Sequence, residues 1–124
     1  MRILFAEDHE DLRKLFTSYL EEHGHAVTPA ADGQELLDRL YTASPGSFDA
    51  IVTDNNMPAM TGIEALRFIK GGEEYKNLPV IVFSLTNDVK FIEFVKKLGG
   101  IFVDKADNDQ LLSTLEKVEE SITV

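Results

Sequence analysis

The chain contains no cysteine, which excludes disulfides and thiolate metal sites and is compatible with a reducing compartment. It also lacks a long apolar run. The N-terminal stretch Met1-Arg2-Ile3-Leu4-Phe5 meets acid by Glu7, and nothing approaches the roughly 20 apolar residues of a membrane helix. A soluble, cytoplasmic protein with no membrane partner is therefore expected. Bases are scarce: 12 Lys and Arg face 22 Asp and Glu, a net charge of −10. The longest basic cluster is Lys96-Lys97, too little to neutralise a phosphate backbone, so no direct contact with nucleic acid is expected. Repeats, linkers and low-complexity segments are missing as well. What remains is 124 residues, 44% hydrophobic, enough for one compact core and too short to suggest two, hence a single domain over residues 1–124.

Apolar runs alternate with helical periodicity along this length. Arg2-Ile3-Leu4-Phe5-Ala6 reads as a strand, followed by a helix with Leu12, Leu15, Phe16, Tyr19 and Leu20 on one face and Gly24 as its stop. His23 and His25 flank that glycine as surface or dipole contacts rather than metal ligands. Ala26-Val27-Thr28-Pro29-Ala30 is a weaker strand that Pro29 assigns to a sheet edge. Asp32 caps a second helix carrying Leu36, Leu37, Leu40 and Tyr41 inward. The third strand, Ala50-Ile51-Val52-Thr53, leads into Asp54 and the turn Asn55-Asn56-Met57-Pro58, after which Thr61-Gly62-Ile63-Glu64 has the form of a capping box. Val80-Ile81-Val82-Phe83 is apolar throughout, as for a strand covered on both faces. A helix through Val89, Ile92, Val95 and Leu98 follows, with Phe91 and Phe94 partly off its stripe, as rim packing or as an exposed patch. Ile101-Phe102-Val103 is the fifth strand. Asp107 caps the last helix, whose Leu111, Leu115, Val118 and Ile122 form an inward row.

Five strand-then-helix units predict a parallel α/β sheet covered by helices on both faces, with every strand C-terminus on one edge. Ligands bind at such an edge. Glu7 and Asp8, Asp54, Ser84 and Lys105 all stand there. Three carboxylates in a small space repel one another unless protons or a cation intervene. The donors are all oxygen, which favours Mg²⁺ retaining several waters over zinc. A metal-bound carboxylate beside a hydroxyl and a lysine is also a layout for phosphoryl transfer: the carboxylate as nucleophile, the cations neutralising the transferred oxygens.

The pattern Glu7-Asp8, Asp54-x-x-Met57-Pro58-x-Met60-x-Gly62, Ser84 and Lys105 resembles the receiver domain of two-component response regulators, and the similarity covers essentially the whole chain. The resemblance implies a CheY-like, flavodoxin-like fold: a doubly wound five-stranded parallel sheet in order 2-1-3-4-5 with five helices. It implies that Asp54 accepts a phosphoryl group from a sensor histidine kinase or a phosphotransfer protein. It further implies that Asp8, Asp54 and the backbone carbonyl of Asn56 hold Mg²⁺, with Glu7 reaching the ion through water, and that Ser84 and Lys105 contact the phosphoryl oxygens. Phe102 matches the aromatic switch residue, which turns inward as the Ser84 hydroxyl moves towards the phosphate. A phosphoacceptor of this kind is not an enzyme beyond its self-catalysed phosphorylation and slow autodephosphorylation.

Several positions depart from the family pattern. Ala106 replaces the proline that usually follows the lysine through a cis bond; because a non-proline cis bond costs roughly 2.5–4 kcal/mol, a trans bond or a shifted loop is expected, with Lys105 aimed differently. Leu85 replaces a small residue beside the pocket, where its bulk could shield the acyl phosphate or impede a donor. Gly99-Gly100-Ile101 is a connection shorter by about one residue, a boundary estimate. Phe102 lacks a tyrosine hydroxyl, so its switch works by packing alone. The leading expectation is a stand-alone receiver, a monomer or weak dimer, signalling to a downstream protein through its last two strand-helix units. The alternative is a pseudo-receiver, a binding module that is not phosphorylated. An aspartate-nucleophile hydrolase fits less well, because Asn56 stands where such an enzyme needs an acid.

Overall fold

A computed structural model describes residues 1–123. Strands and helices alternate without exception: β1 (Arg2–Ala6), α1 (Glu10–Glu22), β2 (Ala26–Ala30), α2 (Gly33–Thr42), β3 (Ala50–Thr53), α3 (Gly62–Gly71), β4 (Val80–Ser84), α4 (Val89–Lys97), β5 (Ile101–Asp104) and α5 (Asn108–Thr123). All neighbouring strands pair in parallel, in the order β2-β1-β3-β4-β5. The fold class expected from the sequence is the one observed, and Pro29 lies on an edge strand.

The two-residue period of the strands builds two cores. Ile3 and Phe5 of β1 face one side, with Val52, Ile81, Phe83 and Val103, and are covered by α1 and α5. Leu4 and Ala6 face the other, with Ile51, Val80 and Val82, and are covered by α2, α3 and α4. Phe16 of α1 meets Phe5 and Phe83 edge-on, at 6.3 and 5.1 Å between ring centroids, contacts worth about 0.5–1.5 kcal/mol each beyond their burial.

The helix ends follow local chemistry. Thr61 accepts from the Glu64 amide while the Glu64 carboxylate accepts from the Thr61 amide, completing the expected capping box. Asp32, Asp88 and Asp107 cap α2, α4 and α5. After α1 and α4 the chain turns through Gly24 (φ +89°) and Gly99 (φ +90°), and the next amides reach back to Leu20 and Val95. These are Schellman ends, which need a left-handed residue and hence glycine.

Four residues expected to face inward do not: Leu15, Tyr41, Val89 and Ile122 are 60, 51, 69 and 49% exposed. Leu15, Tyr41 and Val89 lie at the margin of their helices' apolar stripes, where one sheet surface covers a narrower arc than the periodicity allows, and Ile122 stands in the last turn of α5. Phe91 is packed on the core, edge-on to Phe102, whereas Phe94 is partly exposed beneath the Arg67 guanidinium.

Candidate functional site

The strand ends carry the residues singled out from the sequence. Glu7 leaves β1 and its amide donates to the Ala30 carbonyl at 3.0 Å, which fixes its backbone and turns its side chain into the interior, 1% exposed. Asp54 leaves β3 with its amide on the Ala6 carbonyl at 3.0 Å. Its carbonyl accepts from the Thr53 hydroxyl, and its Oδ1 accepts from the Asn55 amide at 2.7 Å. Glu7, Asp8 and Asp54 each bring a carboxylate oxygen within 4.8 Å of the others; among the described residues this is the one His, Cys, Asp and Glu group so placed.

Lys105, from the turn after β5, closes the cluster. Its Nζ donates to Glu7 Oε1 and, at 3.2 Å, to Asp54 Oδ2. Burial by itself lowers a lysine pKa, but the hydrogen bond Lys105 donates to Glu7 and the charge of Asp54 outweigh it, so the ammonium is held above the ordinary lysine range. The bond after Lys105 is trans, since no cis peptide occurs among the described residues. Ala106 keeps an amide that proline would lack, and donates it to Asp104 Oδ1 at 2.9 Å. Lys105 therefore aims into the cluster despite the missing proline.

Ser84 is buried at the end of β4, where its Oγ accepts from the Thr86 amide at 3.2 Å and its carbonyl from the Lys105 amide at 3.0 Å. Asn56 is exposed and donates from its side chain to the Thr86 hydroxyl. Leu85 is 67% exposed at the rim. Phe102 is half-buried against the core behind the site.

Two supporting residues, Arg13 and Asn55, were missed in the sequence, and His9, expected to point into the first helix or solvent, joins them. Arg13 donates to the carbonyls of Glu7 and Asp8, at 2.9 and 3.3 Å, tethering the acidic loop to α1. His9 caps α1, accepting from the Leu12 amide, while its own amide donates to Glu7 Oε2. The Asn55 side chain accepts from the Ile63 amide and its carbonyl from the Gly62 amide, which locks the loop after Asp54 to the start of α3. The signals were present: Arg13 lies one helical turn from His9, and an Asn before a capping box is a common turn former.

The donor set suits a hard divalent cation: three carboxylate oxygens within 4.8 Å of one another, with neither thiolate nor imidazole among them. The arrangement is that of a doubly wound α/β protein with an acidic, lysine-bearing pocket at its strand ends. The chain belongs to the response regulator receiver domain family, whose sequence profile matches residues 3–116. It is 38% identical to chemotaxis protein CheY-3 of Vibrio cholerae, over 98% of this chain and 94% of that one. It is 35% identical to the CAI-1 autoinducer sensor kinase/phosphatase CqsS of the same species, but spans only 16% of that protein. The solved receiver domain of Francisella response regulator 1452 superposes with a TM-score of 0.87 at 26% identity, covering 98% of each chain.

Receiver domains are signalling modules rather than classical enzymes. They work with histidine kinases and downstream targets, and typically accept a phosphoryl group with Mg²⁺ bound at their acidic pocket. The pseudo-receiver alternative is not favoured.

Proposed function

We propose that residues 1–124 act as a single cytoplasmic receiver that takes a phosphoryl group onto the Asp54 carboxylate. The observation that carries this reading is Lys105 Nζ bridging Glu7 and Asp54 at the edge where three carboxylates converge. A side-chain oxygen of Asp54 attacks the phosphorus of a phosphohistidine on a sensor kinase or phosphotransfer protein. An O–P bond forms, the P–N bond breaks, and the electron pair stays with the departing imidazole, which takes a proton from solvent.

The chain's own residues prepare this step. Glu7, Asp8, Asp54 and the Asn56 carbonyl would hold Mg²⁺, which supplies positive charge to the transferred oxygens. Lys105 offers its ammonium to those oxygens, and Ser84 its hydroxyl once released from the Thr86 amide. Phe102 then adjusts against Phe91, carrying the change to α4. A downstream protein reads it at the last two strand-helix units, with the receiver a monomer or weak dimer. End-to-end similarity to CheY proteins supports a stand-alone role. Catalysis by this chain is confined to its own phosphorylation and slow autodephosphorylation.

The test is intact-mass measurement after incubation with a small-molecule phosphodonor and Mg²⁺. One phosphoryl group is expected on the wild type, with none on Asp54→Asn or in the absence of metal. A wild type that gains no mass while it binds Mg²⁺ refutes the reading.

A further inference from the structure

A second surface, away from the acidic edge, has the opposite electrical character. α3 carries Arg67 and Lys70 against Glu64, and α4 carries Lys90, Lys96 and Lys97 against Glu93, an excess of three positive charges in a chain of net −10. On the other face of the sheet the acids of α1 and α5 outnumber their bases eight to three.

The positive surface also has an apolar floor. A groove of about 380 Å³ is lined by Glu64, Arg67 and Phe68, and Phe68 is 59% exposed. The Arg67 guanidinium lies 5.2 Å from the centroid of Phe94 and joins α3 to α4, a cation–π contact that leaves its N–H groups free to bind an anion. On α4, Lys90 and Lys97 are one turn from Phe94 and share its stripe. Among the described residues, Arg67, Lys90 and Lys97 form no ion pair. Lys70 is already engaged with the carbonyls of Lys76 and Leu78, and Glu64 with the Thr61 cap.

We infer that the outer surface of α3 and α4, with the groove on α3 at its centre, is a docking site for an acidic amphipathic segment of a partner protein, which seats an apolar side chain against Phe68 and sets its carboxylates against Arg67, Lys90 and Lys97. Charge complementarity selects this occupant. A basic segment is drawn instead to the α1–α5 face, where the excess of acids repels an acidic one. Exposed aromatic surface beside arginine, desolvated once a partner covers it, is also the composition of a binding hot spot. The site does not depend on Asp54 chemistry, so it stands or falls separately from the phosphoacceptor reading.

The experiment uses the full chain and a fluorescein-labelled amphipathic peptide with Leu and Phe on one face and Glu on the other. Its counterpart carries Lys in place of Glu. Fluorescence anisotropy gives affinity, and amide ¹H–¹⁵N shifts give the location. The acidic peptide is expected to bind, more weakly as salt rises, with shifts confined to α3 and α4. Phe68→Ser and Lys97→Glu are each expected to weaken it by about tenfold; both side chains are exposed, and unchanged thermal melts confirm that the variants fold. The inference is overturned by no binding, by equal binding of the Lys peptide, by shifts on α1 and α5, or by indifference to both substitutions. Sedimentation showing a second copy of the chain occupying the groove also overturns it.

Discussion

Gly62 shows how tightly single residues constrain the loop after Asp54. A Cβ at this position would stand 2.3 Å from the Asp54 carbonyl oxygen, backbone that has little room to shift. Gly62→Ala is expected to cost about 1–3 kcal/mol, as overpacking does, seen as a lower urea midpoint with an unchanged slope; the loop it displaces should also slow Asp54 phosphorylation. An alanine variant of wild-type stability with normal phosphorylation would show that the loop yields freely. The same loop contains Ala59 at φ +64°, with the Met60 amide on the Pro58 carbonyl at 2.6 Å. The sequence marks the turn by Asn55-Asn56-Met57-Pro58, yet the left-handed conformation falls just beyond it, on Ala59. Nothing in the type of residue 59 announces this. It follows from the anchoring of Asn55 to α3 on one side and the burial of Met57 on the other.

Among the elements, the connection from β5 to α5 is where this chain departs most from its family pattern. Ala106 donates its amide to Asp104 Oδ1, and Asp107 caps the next helix. Ala106→Pro removes that donor and is expected to lower stability by about 0.5–1.5 kcal/mol, the net worth of an ordinary hydrogen bond, measured by equilibrium urea denaturation. A more stable proline variant would show instead that the ring's restriction of the unfolded chain outweighs the lost contact. Helix position and caps were legible because they depend on residues three or four apart. The capping box at Thr61 and the glycine stops after α1 and α4 needed no tertiary information. Exposure at the stripe margins did not follow the same logic: Leu15, Tyr41 and Val89 continue the periodicity, but the sheet reaches only part of each helix face.

For the molecule as a whole, the convergence of like charge at the strand ends has a thermodynamic consequence. If Glu7, Asp8 and Asp54 hold Mg²⁺ only when folded, the ion stabilises the fold by mass action, about 2.7 kcal/mol at a hundredfold excess over Kd. A rise in Tm with Mg²⁺ is expected in the wild type and a much smaller one in Asp8→Asn. Equal effects in both, or the same rise with NaCl at matched ionic strength, would point to general screening. At the opposite edge, Arg2 grips Asp49 through its amide at 2.8 Å and its guanidinium at 3.0 Å. The hydrogen bond to the guanidinium holds the Asp49 carboxyl below the usual range, against the opposing effect of burial. A carboxylate depressed in the folded state contributes stability that is present above its unfolded pKa of about 3.9 and is lost as pH falls through the folded value. Asp49→Asn should therefore flatten the acid limb of a Tm–pH profile below about pH 4 while leaving its shape near neutrality unchanged. An acid limb as steep as the wild type's would exclude this pair from acid unfolding.

Local sequence pattern alone specifies the alternation of strands and helices, the two-sided burial of β4, and the appearance of acid, hydroxyl and lysine where strands end. These are consequences of short-range periodicity and of the expense of ending an apolar run with a charge. Long-range packing was needed to bring Lys105 to Glu7, 98 positions away, to let Arg13 tie down the acidic loop, and to lay Arg67 over Phe94. Contacts of that kind depend on strand order and on the relative placement of helices. Both are set by the collective packing of two cores, which no local pattern encodes.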